Sequence, residues 1–199
     1  TIMANVVSDE RNKTEHSKEW FEEFYKNDDP HNTGSSVVEQ RRYSEVLSTL
    51  TTSGMSPSRV LDLGCGEGHF LKQVSDLFPK SFVVGVDISE TAIKRAEEKL
   101  PKATFFTFDL LMCPQIGAYD LVLFMELLSA FDTHQTDVFN YVQSCVSLNG
   151  YLCVSQRAKD DWPYQLMRFK AKIIAMIRTK LDITSSSPIP CVKTSKNFL

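Results

Sequence analysis

The sequence predicts an α/β fold built around a mostly parallel sheet. Five short apolar runs alternate with segments in which apolar residues recur at helical spacing. Strands that alternate with helices of about 10–15 residues are typical of βαβ units and a parallel sheet. With 199 residues, the chain is long enough for about one domain with a buried core.

The predicted elements follow one another in a regular order. Two helices, 17–26 and 37–50, come first and are joined by a polar, turn-rich loop. The first strand ends near residue 63 and runs into a glycine-rich turn. The predicted elements after that turn are helix 69–78, strand 82–87, helix 90–100, strand 103–108, strand 119–128, helix 133–146 and strand 150–155.

The glycine-rich turn after the first strand indicates a ligand site. Residues 60–68 read Val-Leu-Asp-Leu-Gly-Cys-Gly-Glu-Gly. Glycine adopts positive φ without steric cost and lets a ligand lie directly against the backbone. Asp62 and Glu67 place carboxylates ahead of the turn and inside it. Because phosphate-binding turns leave a helix N-terminus open to an anion, these acids favour a ligand that is not mainly anionic here.

Acidic residues recur along one edge of the predicted sheet. Asp62, Asp87, Asp109 and Glu126 stand at or just past the carboxyl end of a strand. In open parallel sheets, ligands bind outside these ends. Four acids at one edge therefore indicate a binding site more strongly than the glycine turn does alone.

These motifs resemble those of class I S-adenosylmethionine-dependent methyltransferases. Residues 62–68, Asp-Leu-Gly-Cys-Gly-Glu-Gly, are similar to the family's glycine-rich motif. Asp87 matches the ribose-binding acid, Asp109 matches the adenine-edge residue, and 119–122, Tyr-Asp-Leu-Val, resembles the fourth-strand signature. The resemblance covers residues 58–156. It implies a Rossmann-like three-layer αβα sandwich with S-adenosylmethionine as cofactor and S-adenosylhomocysteine as product.

The resemblance also implies a set of cofactor-binding residues. Asp87 is expected to accept from both ribose hydroxyls, and Asp109 from the adenine amino group, while the Leu110 backbone N–H meets the adenine ring. No metal is expected, because the sulfonium carries its own activation and leaving group. The expected cofactor-binding residues are Asp62, Gly64, Cys65, Gly66, Gly68, Asp87, Ile88, Asp109, Leu110, Met125, Arg42 and Tyr43.

The two helices ahead of the sheet are expected to form a lid over the cofactor, spanning residues 17–50. Aromatic residues followed by Asp-Pro and Thr-Gly resemble the N-terminal cap of thiopurine and tellurite-resistance methyltransferases. Asp-Pro, Ser and Glu-Gln-x-x-Tyr also resemble the nodulation-type N-methyltransferases that act on amino sugars. Three residues are candidates for removing a proton from the acceptor: Glu126, His31 and Tyr25. The sequence does not choose among them.

The acceptor is expected to be a small molecule methylated at nitrogen, oxygen or sulfur, with amino-sugar N-methylation as one option. Nucleic-acid adenine methyltransferases carry Asn/Asp-Pro-Pro followed by an aromatic residue after the fourth strand, whereas residues 125–128 read Met-Glu-Leu-Leu. The net charge of −3 gives no general attraction to nucleic acid. A nucleic-acid partner is therefore not expected.

The C-terminal region predicts a basic amphipathic helix over residues 162–181. Its apolar residues recur at helical intervals, and lysines and arginines occupy the other face. The simpler interpretation is packing on the sheet, and the alternatives are binding of a membrane surface, of RNA or of a partner. The family resemblance implies two further antiparallel strands, but residues 157–199 show no clear strand pair. The sheet is then shortened, or the chain lacks a segment.

Domain organisation and cell compartment follow from the same features. Residues 1–16 are expected to be a flexible N-terminus, and 17–199 a single methyltransferase domain with the lid, the cofactor core 58–156 and a C-terminal helix and tail. Five cysteines without a CxxC pair indicate reduced, buried, intracellular thiols. No apolar run approaches the ~20 residues that span a bilayer, and no secretory signal is visible. A cytoplasmic monomer or homodimer without a membrane partner is expected.

Three other hypotheses use the same fold. A dinucleotide-dependent oxidoreductase is expected to have Gly-x-Gly-x-x-Gly, whereas this turn has Gly-x-Gly-x-Gly. An aminopropyltransferase uses a related cofactor, but no acidic polyamine channel is evident. A non-catalytic module could keep the cofactor site for regulation.

Overall fold

Six strands form one sheet in the order β3-β2-β1-β4-β5-β6. The computed structural model describes residues 17–157 and 171–178. The strands are β1 Arg59–Leu63, β2 Phe82–Asp87, β3 Thr104–Thr107, β4 Tyr119–Met125, β5 Val146–Arg157 and β6 Ala171–Arg178. The helices are α1 Lys18–Phe24, α2 Val37–Thr52, α3 His69–Leu77, α4 Glu90–Lys99 and α5 Gln135–Ser144, with 3-10 helices at Leu110–Met112 and Leu128–His134.

The strands β1 to β5 are parallel, and β6 is antiparallel to β5. From the central strand β1 the chain moves outward through β2 and β3, and then returns to the other side of β1 for β4 and β5. The strand order therefore reverses between β1 and β4, which is where ligands bind in such sheets. The predicted Rossmann-like α/β fold is confirmed.

Two hydrophobic clusters cover the two faces of the sheet. One cluster contains Leu61, Leu63 and Phe124, which pack with residues of α5. The other contains Val60 and Leu123, which pack with residues of α2 and α3. Because neighbouring residues of a strand point to opposite faces, central strands buried on both faces are nearly continuous apolar runs in the sequence. The helices on both faces give the expected three layers.

The segment between β4 and β5 differs from its prediction. The predicted helix 133–146 is preceded by a 3-10 helix, and α5 ends at Ser144. The strand β5 then begins at Val146, four residues before its predicted start, and its pairing with β4 is interrupted by a register shift. Asn149 has a φ of 64° in this region. Asn149, which stands before the predicted strand, therefore lies within an irregular strand.

The predicted helix 162–181 is wrong over residues 171–178, which form β6. This strand pairs with β5 from Tyr151↔Arg178 to Arg157↔Ala171. Three isoleucines in the segment favour a strand, because β-branched residues fit a pleated surface. A short apolar run cannot be assigned to helix or strand from periodicity alone. The remainder of the predicted helix, the predicted flexible N-terminus and the tail lie outside the described residues.

The described cysteines are all free thiols. Cys145 and Cys153 are buried and Cys65 is half-buried, but Cys113 is exposed. The expectation of buried thiols is therefore wrong for Cys113, which follows a 3-10 helix at the surface with a φ of 45°. Of the helices that the structure describes, none combines the length and the apolar character needed to cross a bilayer.

Candidate functional site

The glycine turn connects β1 to α3 and forms the floor of the candidate site. Gly64, Gly66 and Gly68 have φ values of 80°, 53° and 76°. The backbone N–H groups of Gly64 and Cys65 donate to the carbonyl of Val86, at 2.7 Å and 2.9 Å. The turn is therefore fixed to the end of β2. Positive φ at three positions explains the need for glycine, since other residues adopt it with strain.

The space above the turn is closely lined. A Cβ at Gly64 would lie 2.5 Å from the Leu127 side chain, and one at Gly66 would lie 2.9 Å from the Tyr25 hydroxyl. Real Cβ atoms essentially never come so close to a neighbour. The glycines therefore permit close approach to the backbone as well as positive φ.

Asp87, at the end of β2, is buried and holds the turn through its side chain. Its Oδ2 accepts from the Gly66 N–H at 2.8 Å, and its Oδ1 accepts from the Ser89 N–H at 3.0 Å. Burial raises the pKa of this carboxyl above its usual range. Each carboxylate oxygen can accept more than one hydrogen bond. The residue therefore fits its predicted role toward ribose hydroxyls.

Asp62, in β1, is buried, and its Oδ1 has no hydrogen-bond partner among the described residues. Burial and the nearby charge of Asp87 raise the pKa of Asp62 to about 7, although Arg42 acts in the opposite direction. Buried polar atoms are nearly always paired in native proteins. An unpaired carboxylate oxygen beside a glycine turn therefore fits a cationic donor such as the ammonium group of S-adenosylmethionine.

A pH dependence follows from the raised pKa of Asp62. Between its ordinary pKa near 3.8 and about 7, the folded state binds more protons than the unfolded state, so stability falls as pH rises. Relative to wild type, Asp62→Asn is expected to stabilise the unliganded protein at pH 8 by about 2–4 kcal/mol. Chemical denaturation at pH 5 and pH 8 checks this, and an equal effect of the substitution at both pH values would contradict it.

Arg42, on α2, is buried and bound to several partners. Its Nε donates to Glu39 Oε2 at 3.0 Å, and its Nη2 also contacts this oxygen. Its Nη1 lies 3.3 Å from Glu126 Oε1 and 3.4 Å from Ser155 Oγ. The guanidinium also lies over the Tyr43 ring, 5.0 Å from its centroid. Arg42 therefore lies at the sheet edge but is already paired with two carboxylates.

Glu126 directly follows β4 and has a φ of 58°. Its backbone N–H donates to the Ser155 carbonyl at 2.8 Å, and its Oε1 accepts from the Ser155 hydroxyl at 2.8 Å. Left-handed backbone at a residue other than glycine costs energy, and it persists where the surroundings fix it, often at functional sites. Ser155 and Arg42 thus hold the Glu126 carboxylate at the carboxyl edge of the sheet.

The two other catalytic candidates lie in the predicted lid. Tyr25 is buried above Gly66, and burial raises the pKa of its hydroxyl well above the usual range. Tyr25 is therefore suited to donate a hydrogen bond, not to act as a base at neutral pH. His31 is exposed, with its ring 4.6 Å from the Phe24 ring and 6.0 Å from the Tyr25 ring. Its proposed part in catalysis stays a prediction.

The other residues predicted to contact the cofactor lie at both ends of the candidate site. Tyr43 is buried against Phe70, with ring centroids 4.8 Å apart, which makes it a core residue beside the site. At the adenine end, Asp109 Oδ1 accepts from the Leu111 N–H at 2.9 Å, and Leu110 is buried. The remaining predicted cofactor residues, Cys65, Ile88 and Met125, are half-buried at the carboxyl edge of the sheet.

Glu67 is a structural residue, and its charge is neutralised inside the protein. Arg95 and Lys99 of α4 donate to its carboxylate, and so does the backbone of Asp29. Hydrogen bonds to Arg95 and Lys99 lower its pKa despite burial. Glu67 therefore gives no information about ligand charge. Its carboxylate also clusters with Asp29 and His69 within 4.8 Å, but the two cations already occupy it.

Three site residues could not be identified from single motifs. Glu39 and Ser155 fix Arg42 and Glu126, and Glu22 binds the N-terminus of α4. The spacing of three residues between Glu39 and Arg42 is a signal for an ion pair on a helix. The other two contacts join distant segments and leave no local pattern.

Comparison with known proteins identifies the family. A family model described as a methyltransferase domain matches residues 55–188, which is more than half of the chain. The chain belongs to this methyltransferase family. The sequence-based assignment to S-adenosylmethionine-dependent methyltransferases is thereby confirmed, and with it the cofactor expected for such a domain.

Similar proteins differ in the acceptors that their names give. A malonyl-[acyl-carrier protein] O-methyltransferase of Legionella pneumophila is 29% identical over 133 residues, covering 65% of this chain and 43% of that protein. A trans-aconitate 2-methyltransferase of Variovorax paradoxus is 38% identical over 113 residues, covering 56% and 43%. The chain thus spans less than half of the length of these curated relatives.

A solved structure shows the same fold. The N-methyltransferase NodS from Bradyrhizobium japonicum WM9, in complex with S-adenosylhomocysteine, superposes with a TM-score of 0.62 at 22% identity. The match covers 71% of this chain and 73% of that one.

Proposed function

We propose that this chain binds S-adenosylmethionine at the glycine turn and transfers its methyl group to a small molecule. The observation that carries the proposal is the buried Asp62 carboxylate, one oxygen of which has no hydrogen-bond partner among the described residues. It lies beside three positive-φ glycines and the buried Asp87. When bound, the cofactor supplies an activated methyl group. The protein's tasks are to hold the cofactor, exclude water and position the acceptor.

In the proposed complex, different residues along the sheet edge bind different parts of the cofactor. Asp87 binds the ribose hydroxyls, Asp109 and Leu110 bind the adenine, and Asp62 binds the methionine ammonium. Tyr25 closes the site from the lid, where its hydroxyl faces Gly66. Arg42 supports the methionine end mainly through charge, because its donors already contact Glu39, Glu126 and Ser155.

We further propose that the acceptor is an amine, with an amino sugar as one option. Five carboxylates lie at or beneath the described sheet edge, and Arg42 pairs with two of them. They are Glu39, Asp62, Asp87, Asp109 and Glu126. This lining attracts a cationic or neutral acceptor and disfavours a carboxylate, since unlike charges attract strongly where water is excluded. The names of the relatives include both N- and O-methyltransferases, so they do not indicate whether the acceptor atom is nitrogen or oxygen.

Within this proposal, Glu126 binds the ammonium of the acceptor and accepts its proton. Ser155 and Arg42 fix its carboxylate, which matches the requirement that a general base be held in position. Tyr25 is a poor base because its hydroxyl stays protonated. The ammonium must lose a proton before its nitrogen lone pair can attack the methyl group, and Glu126 is the described group best placed to take that proton.

A single substitution tests the role of Glu126. Glu126→Gln keeps an acceptor for Ser155 but removes the charge. It is expected to lower kcat for amine acceptors about 100-fold while changing affinity for S-adenosylhomocysteine less than about threefold. The measurement uses methyl-labelled cofactor with panels of amines and of carboxylic acids and, separately, with total RNA. Glu45→Gln, which makes the same change of charge at an exposed position of helix α2, serves as control.

The result distinguishes three outcomes. Methylation of amines by the wild-type protein that is lost in Glu126→Gln would support the proposal. Methylation of carboxylic acids alone would contradict the amine assignment but leave methyl transfer intact. Labelling of RNA would contradict both the amine and the small-molecule acceptor. The basic helix that suggested RNA is not formed over residues 171–178, where the structure has a strand.

A further inference from the structure

Helix α4 begins against the lid, and part of its N-terminus is capped by a residue of another helix. The cap residue Ser89 accepts from the Ala92 N–H at 3.1 Å. The backbone N–H groups of Glu90 and Thr91 donate to the carboxylate of Glu22, on α1, and so does the Ser89 hydroxyl at 3.2 Å. The first N–H groups of a helix have no acceptor within the helix, and the Glu22 carboxylate accepts from two of them.

The charge of Glu22 suits this position. A carboxylate at a helix N-terminus is stabilised by the helix dipole and by the N–H groups it accepts from. These hydrogen bonds lower the pKa of Glu22 even though burial acts to raise it. On the same helix, Lys18 forms an ion pair with Glu90 at 2.8 Å, but both side chains are largely exposed. Such exposed pairs contribute little, so Glu22 is the main polar contact between α1 and α4.

Glu22 and Tyr25 are three residues apart at the end of α1, so they lie on the same side of the helix. Glu22 binds residues 89–91, which begin two positions after Asp87. Tyr25 lies over Gly66. Asp87 in turn binds both the Gly66 N–H and the Ser89 N–H. The lid helix is therefore attached at two points to the segments that form the proposed ribose site.

We propose that Glu22 is a positioning residue that clamps α1 onto α4, holds Tyr25 across the glycine turn and thereby slows release of the cofactor. The proposal rests on the proposed function. Glu22 does not touch the reacting atoms. Its effect passes through the lid, because loss of the cap frees α1 to move away with Tyr25.

Two measurements on the full chain test the clamp. In the unliganded protein, Glu22→Ala is expected to increase amide hydrogen exchange about 10-fold or more in α1 and at residues 90–92, because several hydrogen bonds to a charged group are lost. In stopped-flow experiments, dissociation of S-adenosylhomocysteine is expected to accelerate about 10-fold. Glu22→Gln, which keeps one acceptor oxygen, is expected to give a smaller change in the same direction.

The neighbouring acid provides a matched control. Glu23 is exposed and pairs only with Lys26 among the described residues, so Glu23→Ala makes the same change of charge without touching α4. Equal exchange and equal release rates for Glu22→Ala and Glu23→Ala would overturn the clamp. Faster exchange with an unchanged release rate would overturn its role in retention. Failure of the wild-type protein to bind S-adenosylhomocysteine would instead overturn the proposed function, and the exchange experiment would still test the clamp.

Discussion

Replacing Gly66 with valine is expected to abolish binding of S-adenosylhomocysteine while the sheet stays folded. Gly66 has a φ of 53°, which a β-branched residue adopts only with strain. A Cβ there would lie 2.9 Å from the Tyr25 hydroxyl, and a ligand on the turn would meet the added methyl groups. Isothermal titration calorimetry measures the binding, and circular dichroism measures the fold.

A substitution at a second glycine distinguishes the effect of backbone strain from the effect of a clash with the ligand. Gly54 has a φ of 69°, and a Cβ placed on it would have no neighbour within 4 Å. Gly54→Val therefore imposes similar backbone strain away from the glycine turn. It is expected to lose some stability and to bind normally. Normal binding of S-adenosylhomocysteine by Gly66→Val would mean that the glycine turn has only a structural role.

Replacing Asp87 with alanine is expected to weaken binding of S-adenosylhomocysteine about 100-fold or more. Two ribose hydroxyls would each lose a hydrogen bond to a charged group, worth about 1.5–3 kcal/mol, and each 1.4 kcal/mol corresponds to about tenfold in affinity. The substitution also removes the acceptor of the Gly66 N–H, which loosens the turn. Calorimetry at constant pH and salt gives the affinity.

Asp120 is a matched control for Asp87, because it also accepts from two backbone N–H groups. Its Oδ2 accepts from Ser58 and Arg59, at 2.8 Å and 3.1 Å, at the start of β1. This is the opposite edge of the sheet from the glycine turn. Asp120→Ala is expected to destabilise the fold without changing affinity. An equal loss of affinity in both variants would show that Asp87 acts through stability and not through contact.

The central part of the fold could be predicted because its physical causes are local. The strands β1, β2 and β4 are buried on both faces, so they appear as continuous apolar runs. The acids that end them could also be recognised, because parallel strands bring their carboxyl ends to one edge. Asp62 and Asp87 are accordingly buried beside the glycine turn, as the sequence indicated.

Features that depend on contacts between distant segments could not be predicted. The position of Glu67 in the glycine turn suggests a guide to ligand charge, but Arg95 and Lys99 of a later helix neutralise it. Arg42 also pairs with Glu126 at the end of β4, far away in the sequence, while its expected contact with the cofactor stays a prediction.

The misassigned segment 171–178 has a similar cause. Its isoleucines fit a helix stripe as well as a strand, and what decides between the two is the open edge of β5. Such an edge exists only once the sheet has formed.

The most direct test of the proposed cofactor site is calorimetric titration of the wild-type chain with S-adenosylhomocysteine and, separately, with reduced nicotinamide cofactor. We expect saturable binding of S-adenosylhomocysteine that is lost in Gly66→Val, weakened in Asp87→Ala and retained in Gly54→Val and Asp120→Ala. We expect no binding of the nicotinamide cofactor. Absence of S-adenosylhomocysteine binding to the folded wild-type protein, or saturable binding of the nicotinamide cofactor in its place, would contradict the assignment of the glycine turn.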